Sequence, residues 1–439
     1  MKLSRISAFG LLFLAPGFAA LAASALDAPH TMHHARAAES HLTASHRAGR
    51  RAAAPAAQSS ASARSSKSHA AKNTAPAGGQ ARLTARGRAR AGARRVALTT
   101  RRGHRFSERF TASSFAKDDM LSGDQTGGED PIVRQAAIDA LGGMNGTAVV
   151  IDPANGRILA MVNQKLALSP GAEPCSTIKL TVAMAALSEG LVTRDTPVKL
   201  SGFHMNMTQA LAKSNNLYFE ELGRQLGFDR VRHYANQFGL GELAGYNIQG
   251  EQLGIYPDQE LPASQGGVAR MCSFGQGVSL TPLQLGAFVA ALANGGTLYY
   301  LQHPKTAEEA ANLQPKVKRT LDIAKYVPEL QDGMAGAVEY GTARRLRANF
   351  HELPVFGKTG TCSDKGTRYG WFAAFSDSPQ GSLVTVFFLE GGRPTFGPRA
   401  AELTGAFYQN LWDRNWFAPK GQQDAASVRV VLPSTEAQP

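Results

Sequence analysis

The stretch Val355-Phe356-Gly357-Lys358-Thr359-Gly360-Thr361 decides how this chain is read. It reads as a β-strand, an apolar and β-branched run that carries one lysine and two hydroxyls. A strand beside a reactive group can dock an extended peptide through main-chain hydrogen bonds. Gly360 permits close backbone approach to such a substrate. Lys358, Thr359 and Thr361 together suit a carboxylate. Taken alone, the same residues also describe an ordinary edge strand with a solvated lysine.

Working outward, residues 369–376 and 382–389 are further apolar runs, separated by Gly, Ser, Asp and Pro, and residues 400–413 read as a closing helix. Upstream, residues 146–152 and 157–163 are β-rich runs around Pro153-Ala-Asn-Gly156, a strong hairpin signal. Residues 132–142, 176–189, 207–238 and 281–294 carry apolar residues at helical spacing. An early hairpin, a helical middle, late strands and a final helix predict an α/β (α+β) fold: an antiparallel sheet flanked by helices, with a helical subdomain.

Two more short motifs precede the lysine strand. Ser176-Thr-Ile-Lys179 places a hydroxyl and an amine at i and i+3, on one face of a helix. A serine hydroxyl is a poor nucleophile and needs an adjacent base. Lys179 serves as one only if its pKa is lowered, by desolvation or by a second cation such as Lys358. Ser214-Asn-Asn216 adds a hydroxyl able to pass a proton between Lys179 and a leaving amine, and an amide able to bind a substrate peptide group. Each tetrapeptide alone is cheap: Ser114-Phe-Ala-Lys117 also fits the first pattern. In this order the motifs supply a nucleophile, a base, a relay and an anion clamp without a metal or cofactor.

The charge of the chain is local. Residues 1–110 hold 19 Lys/Arg against Asp27, Glu39 and Glu108, whereas the remaining residues hold 28 against 31 acids. Lys2 and Arg5, the apolar run 10–22 broken by Pro16, and Ala23-Ser-Ala25 predict an export signal over 1–25, cleaved or kept as a membrane anchor. Residues 26–127 form a basic arm rich in Ala, Arg and Ser, without apolar periodicity and therefore expected to be disordered. His33-His34 in that arm lacks further clustered ligands, so no metal site is expected. For an exported arm, anionic envelope polymers or lipid headgroups are better partners than nucleic acid, and a spacer with no specific partner is an equal alternative. Residues 128–418 have the composition of one folded domain, large enough to bury its own core, and 419–439 are a polar tail.

The ordered motifs resemble those of the penicillin-binding transpeptidase domain family, whose fold serine β-lactamases share. The resemblance spans roughly 130–415. It extends to the entry hairpin at 146–163, to Ser273-Phe-Gly-Gln-Gly277, Leu280-Thr-Pro-Leu-Gln-Leu285 and Ala293-Asn-Gly-Gly296, and to Tyr340-Gly-Thr-Ala343 and Trp371-Phe-Ala-Ala-Phe375. It implies that Ser176 is acylated, that Lys179 is its base, and that Ser214 and Asn216 form the second motif. Lys358, Thr359, Gly360 and Thr361 would bind the substrate, with the backbone N–H groups of Ser176 and Thr361 as the oxyanion hole. Peptidoglycan stem peptides are the implied substrate and β-lactams the implied covalent inhibitors.

Three outcomes share that acylation: a D,D-transpeptidase or carboxypeptidase, a serine β-lactamase, and a non-catalytic sensor that keeps the adduct. The class A deacylating Glu in an E-x-x-L-N setting is absent between Asn216 and Lys358, and Asn216 departs from the class D pattern, which favours the first. Ser214 follows Ser176 by 38 residues, which implies a trimmed helical subdomain. A disordered arm where larger relatives carry a glycosyltransferase or pedestal domain favours a stand-alone transpeptidase or carboxypeptidase, or a diverged acyl-binding protein. If the resemblance holds, Cys175 and Cys362 face each other across the site and pair as a disulfide, as in some carbapenem-hydrolysing class A β-lactamases, with Cys272 left free.

Overall fold

The computed structural model describes residues 96–99, 105–108, 111–116, 120–378 and 381–418. The signal segment, most of the basic arm with His33-His34, Lys117 and the polar tail lie outside the described residues. The centre is a five-stranded antiparallel sheet. Its strands are β1 (Gly146–Asp152), β2 (Arg157–Val162), β3 (Val355–Asp364), β4 (Thr367–Ser376) and β5 (Leu383–Gly391), in the order β2-β1-β5-β4-β3. The early hairpin and the late strands therefore join in one sheet, with β1 beside β5 and the lysine strand β3 at an edge. Gly156, at φ 77°, takes the left-handed conformation that closes the first hairpin.

Both faces of the sheet are buried, and period-2 alternation sorts its side chains. Val384, Val386 and Phe388 of β5 enter one core with Val149 and Ile151 of β1 and Trp371 and Ala373 of β4. Leu383, Phe387 and Leu389 enter the other with Ala148, Val150, Phe372 and Ala374. This explains why the strands read as continuous apolar runs rather than alternating ones.

The second face is covered by α1 (Pro131–Leu141) and α8 (Gly397–Asp413). Asp130 caps α1, its carboxylate accepting from the amides of Ile132 and Val133. The first face carries α6 (Pro282–Ala293), buried along nearly its whole length. Thr281-Pro-Leu-Gln284 is its capping box, and Gln284 also donates from Nε2 to the carbonyl of Glu242. Beside it lie α2 (Lys179–Ser188), α3 (Met207–Lys213), α4 (Asn216–Leu226), α5 (Gly267–Phe274) and α7 (Val327–Glu339). Between α2 and α3 the chain makes only a two-stranded ribbon, Val198–Leu200 with Phe203–Met205.

Two expectations change. The residues before 128 are not all disordered. Val96–Thr99 pairs antiparallel with Arg105–Glu108. Residues 111–116 and 120–127 dock on the domain: the amide of Thr111 donates to the carbonyl of Arg393, and that of Ala116 to Gly143. Asp124 accepts from the amides of Asn163 and Gln164 and pairs with Arg134 at 2.7 Å. Hydrogen bonds rather than an apolar stripe hold this segment, so composition did not reveal it. Ser114, in the cheap second match, is buried and donates to the carbonyl of Arg393 at 2.8 Å, with neither of the other motifs beside it.

Secondly, the helix expected over 176–189 starts later. Cys175–Ile178 is a 3₁₀ turn, and α2 begins at Lys179. Cys175 stands at φ 51°, a left-handed conformation uncommon for a residue with a side chain, which breaks the helical path just ahead of Ser176. The i, i+3 geometry survives, because a 3₁₀ turn eclipses those positions.

Candidate active site

The fold brings all three motifs to one place, where the 3₁₀ turn, the α3–α4 junction and edge strand β3 meet. Lys179 is fully buried, flanked by the rings of Phe219 and Phe274, whose centroids lie 5.7 and 5.8 Å from Nζ. Its Nζ lies 2.7 Å from Ser176 Oγ, 2.8 Å from Asn216 Oδ1 and 2.5 Å from the carbonyl of Ser273 on α5. A neutral amine has two N–H donors and one lone pair. Asn216 Oδ1 and the Ser273 carbonyl oxygen can only accept, so they use both donors. The lone pair is left for the hydroxyl proton of Ser176.

Burial pushes Lys179 down to about 7, against a smaller upward pull from Glu220. A cation is expensive away from water, and among the described residues no carboxylate stands within ion-pair distance of Lys179. The amine is therefore largely available as a base near neutral pH.

Lys358 is also fully buried and is held well below the ordinary lysine range, by burial and by the charge of Lys179. Its Nζ lies 2.8 Å from Ser214 Oγ and 2.9 Å from the carbonyl of Thr359. Thr359 Oγ1 bonds Thr342 Oγ1 at 2.6 Å, and Thr361 Oγ1 accepts from the amide of Gly397 at the start of α8. Thr361 is exposed while Lys358, Thr359 and Gly360 are buried, so the site opens to solvent along the end of this motif.

The turn and the strand are fastened together. Cys175 and Cys362, the residues flanking Ser176 and Thr361, are disulfide-bonded with Cα atoms 5.6 Å apart, and Cys272 is free and buried. Trp371 Nε1 donates to the carbonyl of Glu173 at 3.0 Å. Gly360 is required by this contact: a Cβ there would lie 2.8 Å from the carbonyl of Pro174. Its glycine lets the strand approach the nucleophile turn, where sequence reasoning had it approaching a substrate.

Two partnerships differ from the sequence expectation. Ser214, at φ 53° on the C-terminal cap of α3, turns its hydroxyl to Lys358, not to Lys179. Asn216 gives its carbonyl oxygen to Lys179, leaving only its amide nitrogen for a substrate. The carbonyl of Ser273, Thr342 and the two rings were not assigned roles. Ser273, Phe274 and Thr342 lie in the Ser273–Gly277 and Tyr340–Ala343 stretches that carried the resemblance. Among the described residues no group of three or more His, Cys, Asp or Glu is placed to hold a metal ion.

A model of the penicillin binding protein transpeptidase domain matches residues 146–407. The chain belongs to this family. It is similar to stage V sporulation protein D of Bacillus subtilis, with 29% identity over 59% of this chain and 47% of that protein. It is also similar to the peptidoglycan D,D-transpeptidase MrdA of Acinetobacter baumannii, with 27% identity over 61% of this chain and 50% of that one. The chain thus spans about half the length of the curated relatives it matches. The crystal structure of Pseudomonas aeruginosa PBP2 in complex with WCK 5153 superposes with a TM-score of 0.56 at 23% identity. That alignment covers 67% of this chain and 75% of the other, and it shows the shared fold.

Proposed function

We propose that this protein is a penicillin-binding serine D,D-transpeptidase acting on peptidoglycan stem peptides outside the cytoplasm. The observation that carries the proposal is Lys179, a buried amine with a pKa near 7 whose remaining valence faces the hydroxyl of Ser176.

In this reading Ser176 Oγ attacks the carbonyl carbon of the terminal D-Ala-D-Ala bond while its proton passes to Lys179. The amides of Ser176 and Thr361 receive the oxyanion, and Lys358, Thr359 and Thr361 hold the terminal carboxylate. The anion also favours the protonated form of Lys358. Collapse breaks the C–N bond. The Ser214 hydroxyl, bonded to Lys358, hands a proton to the leaving nitrogen and regains one from that lysine. D-Ala departs and the ester on Ser176 remains. With D-Ala gone, Lys179 releases its proton to solvent and Lys358 regains one from solvent. An amine of a second stem peptide then attacks the ester, Lys179 takes up the amine's proton, and that proton goes to Ser176 Oγ as the ester C–O bond breaks. β-Lactams would enter as mimics of the same bond and stay as the acyl-enzyme.

The MrdA relatives, named peptidoglycan D,D-transpeptidases, support the acceptor assigned here. Export is supported by the n-region, apolar run and small-residue step at residues 1–25 and by the disulfide, a bond of oxidising compartments. Among the described residues no helix is long and apolar enough to cross a membrane.

The test is intact mass after mixing the full chain with a penicillin, followed over time and mapped by peptide digestion. A long-lived adduct on Ser176, absent from Ser176→Ala, is expected. An adduct that vanishes while the drug is consumed would make the protein a β-lactamase. No adduct would refute the proposal.

A further inference from the structure

Ser114 opens the second S-x-x-K match of the sequence, and it has a task of its own. It is fully buried. The carbonyl of Arg393 accepts from three donors of its segment: the amide of Thr111 at 2.9 Å, the hydroxyl of Thr111 at 3.3 Å and the hydroxyl of Ser114 at 2.8 Å. The carbonyl of Ser114 accepts from the amide of Asn145, whose own carbonyl accepts from the amide of Glu390. The segment is thus stitched both to the start of β1 and to the end of β5. Two glycines make room for it. A Cβ on Gly391 would meet the carbonyl of Ser113, and one on Gly392 the hydroxyl of Thr111. Paired glycines raise the entropy lost on folding, a cost that this close docking accounts for.

The loop gripped here leads to the active site. From Arg393 it passes through buried Pro394 and Thr395 to Phe396, with the amide of Thr395 closing a turn on the carbonyl of Gly392. The backbone of Phe396 packs on Gly370, where a Cβ would lie 2.6 Å from it, and Gly370 stands opposite Thr361 in the sheet. The next amide, that of Gly397, donates to Thr361 Oγ1 at 2.8 Å. A threonine hydroxyl has one proton to give. With the Gly397 amide on its oxygen, that proton is turned away from α8 and is free for a carboxylate. Only residues 394–396 separate the two fixed points, so a shift of the Arg393 carbonyl is passed on to the Gly397 amide with little slack.

We infer that residues 111–116 are a clasp that sets the carboxylate clamp, with Ser114 as a positioning residue acting through the Arg393 carbonyl and the Gly397 amide on Thr361. The inference rests on the reading of Thr361 as part of that clamp. It gives residues assigned from sequence to the basic arm a part in substrate recognition.

The probes are benzylpenicillin, which carries a carboxylate, and its methyl ester, which does not. Acylation of Ser176 in the full chain is followed by intact mass at drug concentrations below saturation. Each rate is divided by the drug's own rate of hydrolysis by hydroxide, and the ratio of acid to ester then reads the clamp. The wild type is expected to favour the acid by about tenfold or more, the scale of a hydrogen bond to a charged group. Ser114→Ala loosens the clamp without removing it, and should narrow the preference at least about threefold by slowing the acid and sparing the ester. Gly392→Ala, whose Cβ displaces Thr111 from the loop, should narrow it as well. Thr281→Ala, which weakens the cap of α6 instead, should leave it unchanged. Because the ratio is taken within one protein, a general loss of folding does not move it. No adduct on the wild type would defeat the transpeptidase reading, and no preference for the acid would defeat the clamp, each taking the inference with it. With the preference present, an unchanged ratio in either variant that folds, or the same narrowing in Thr281→Ala, would overturn the inference alone.

Discussion

The two faces of the central sheet solve different problems. Under α1 and α8 the core is nearly all hydrocarbon, with Phe372, Phe387, Phe407 and Tyr408 filling it. On the other face the core is as fully buried but encloses two lysines with no carboxylate at ion-pair distance among the described residues. Hydrophobic burial stabilises the first face directly. On the second it also supplies the low dielectric that lowers the pKa of Lys179 and Lys358. One face spends its packing on stability, the other on reactivity.

The comparison breaks most visibly at Lys179. Lys179→Met keeps the volume and removes the base. Penicillin acylation should fall by about 10³-fold or more. The melting temperature should hold or rise, since a buried polar group has been replaced by an apolar one. A large loss of stability would mean that the lysine is structural. On the opposite face, Phe387→Ala should cost about 3–5 kcal/mol in denaturant unfolding. The protein that remains folded should be acylated at the wild-type rate.

A smaller effect is expected where the faces are tied to the site. Removing the Cys175–Cys362 bridge, which closes a loop of 187 residues, should lower stability by about 2–4 kcal/mol. Acylation should also slow, because the bridge fastens the nucleophile turn to β3. Non-reducing peptide mapping of exported protein that recovers both cysteines as thiols would sever this link. Smallest is Thr281→Ala, which removes the capping box of α6 and should cost about 1 kcal/mol without touching acylation.

How far the sequence carried this account depends on the kind of contact. The motifs and strands were legible because their residue types are specified by chemistry or by period: a lysine in a β-rich run, Asn155-Gly156 between apolar runs, a hydroxyl three residues before a lysine. The Ser273 carbonyl that fixes the orientation of Lys179 was not legible, since any residue offers a carbonyl. Nor was the redirected Ser214 hydroxyl, which depends on a left-handed backbone at the end of α3. Docking of residues 111–116 and 120–127 was hidden because most of its partners lie far along the chain and many of its bonds involve backbone groups. The 3₁₀ turn at Ser176 was masked by apolar residues that read equally well as a helix.

The lowered lysine also predicts a stability trend. Between about pH 7 and the ordinary lysine value of 10.5, the unfolded chain holds a proton on Lys179 that the folded chain has released. Folding should therefore strengthen as pH rises through that window, and Lys179→Met should reduce this gain, leaving the part that comes from buried Lys358.

The most direct test of the central claim is the pH dependence of the acylation rate of Ser176, measured by rapid-quench intact mass from pH 5 to pH 9. Only the neutral amine of Lys179 can take the proton. The rate is expected to be level above about 7 and to fall about tenfold per pH unit below it. A rate that stays flat down to pH 5, or that still rises about tenfold per pH unit up to pH 9 as it would for a lysine at its ordinary value of 10.5, would contradict the account.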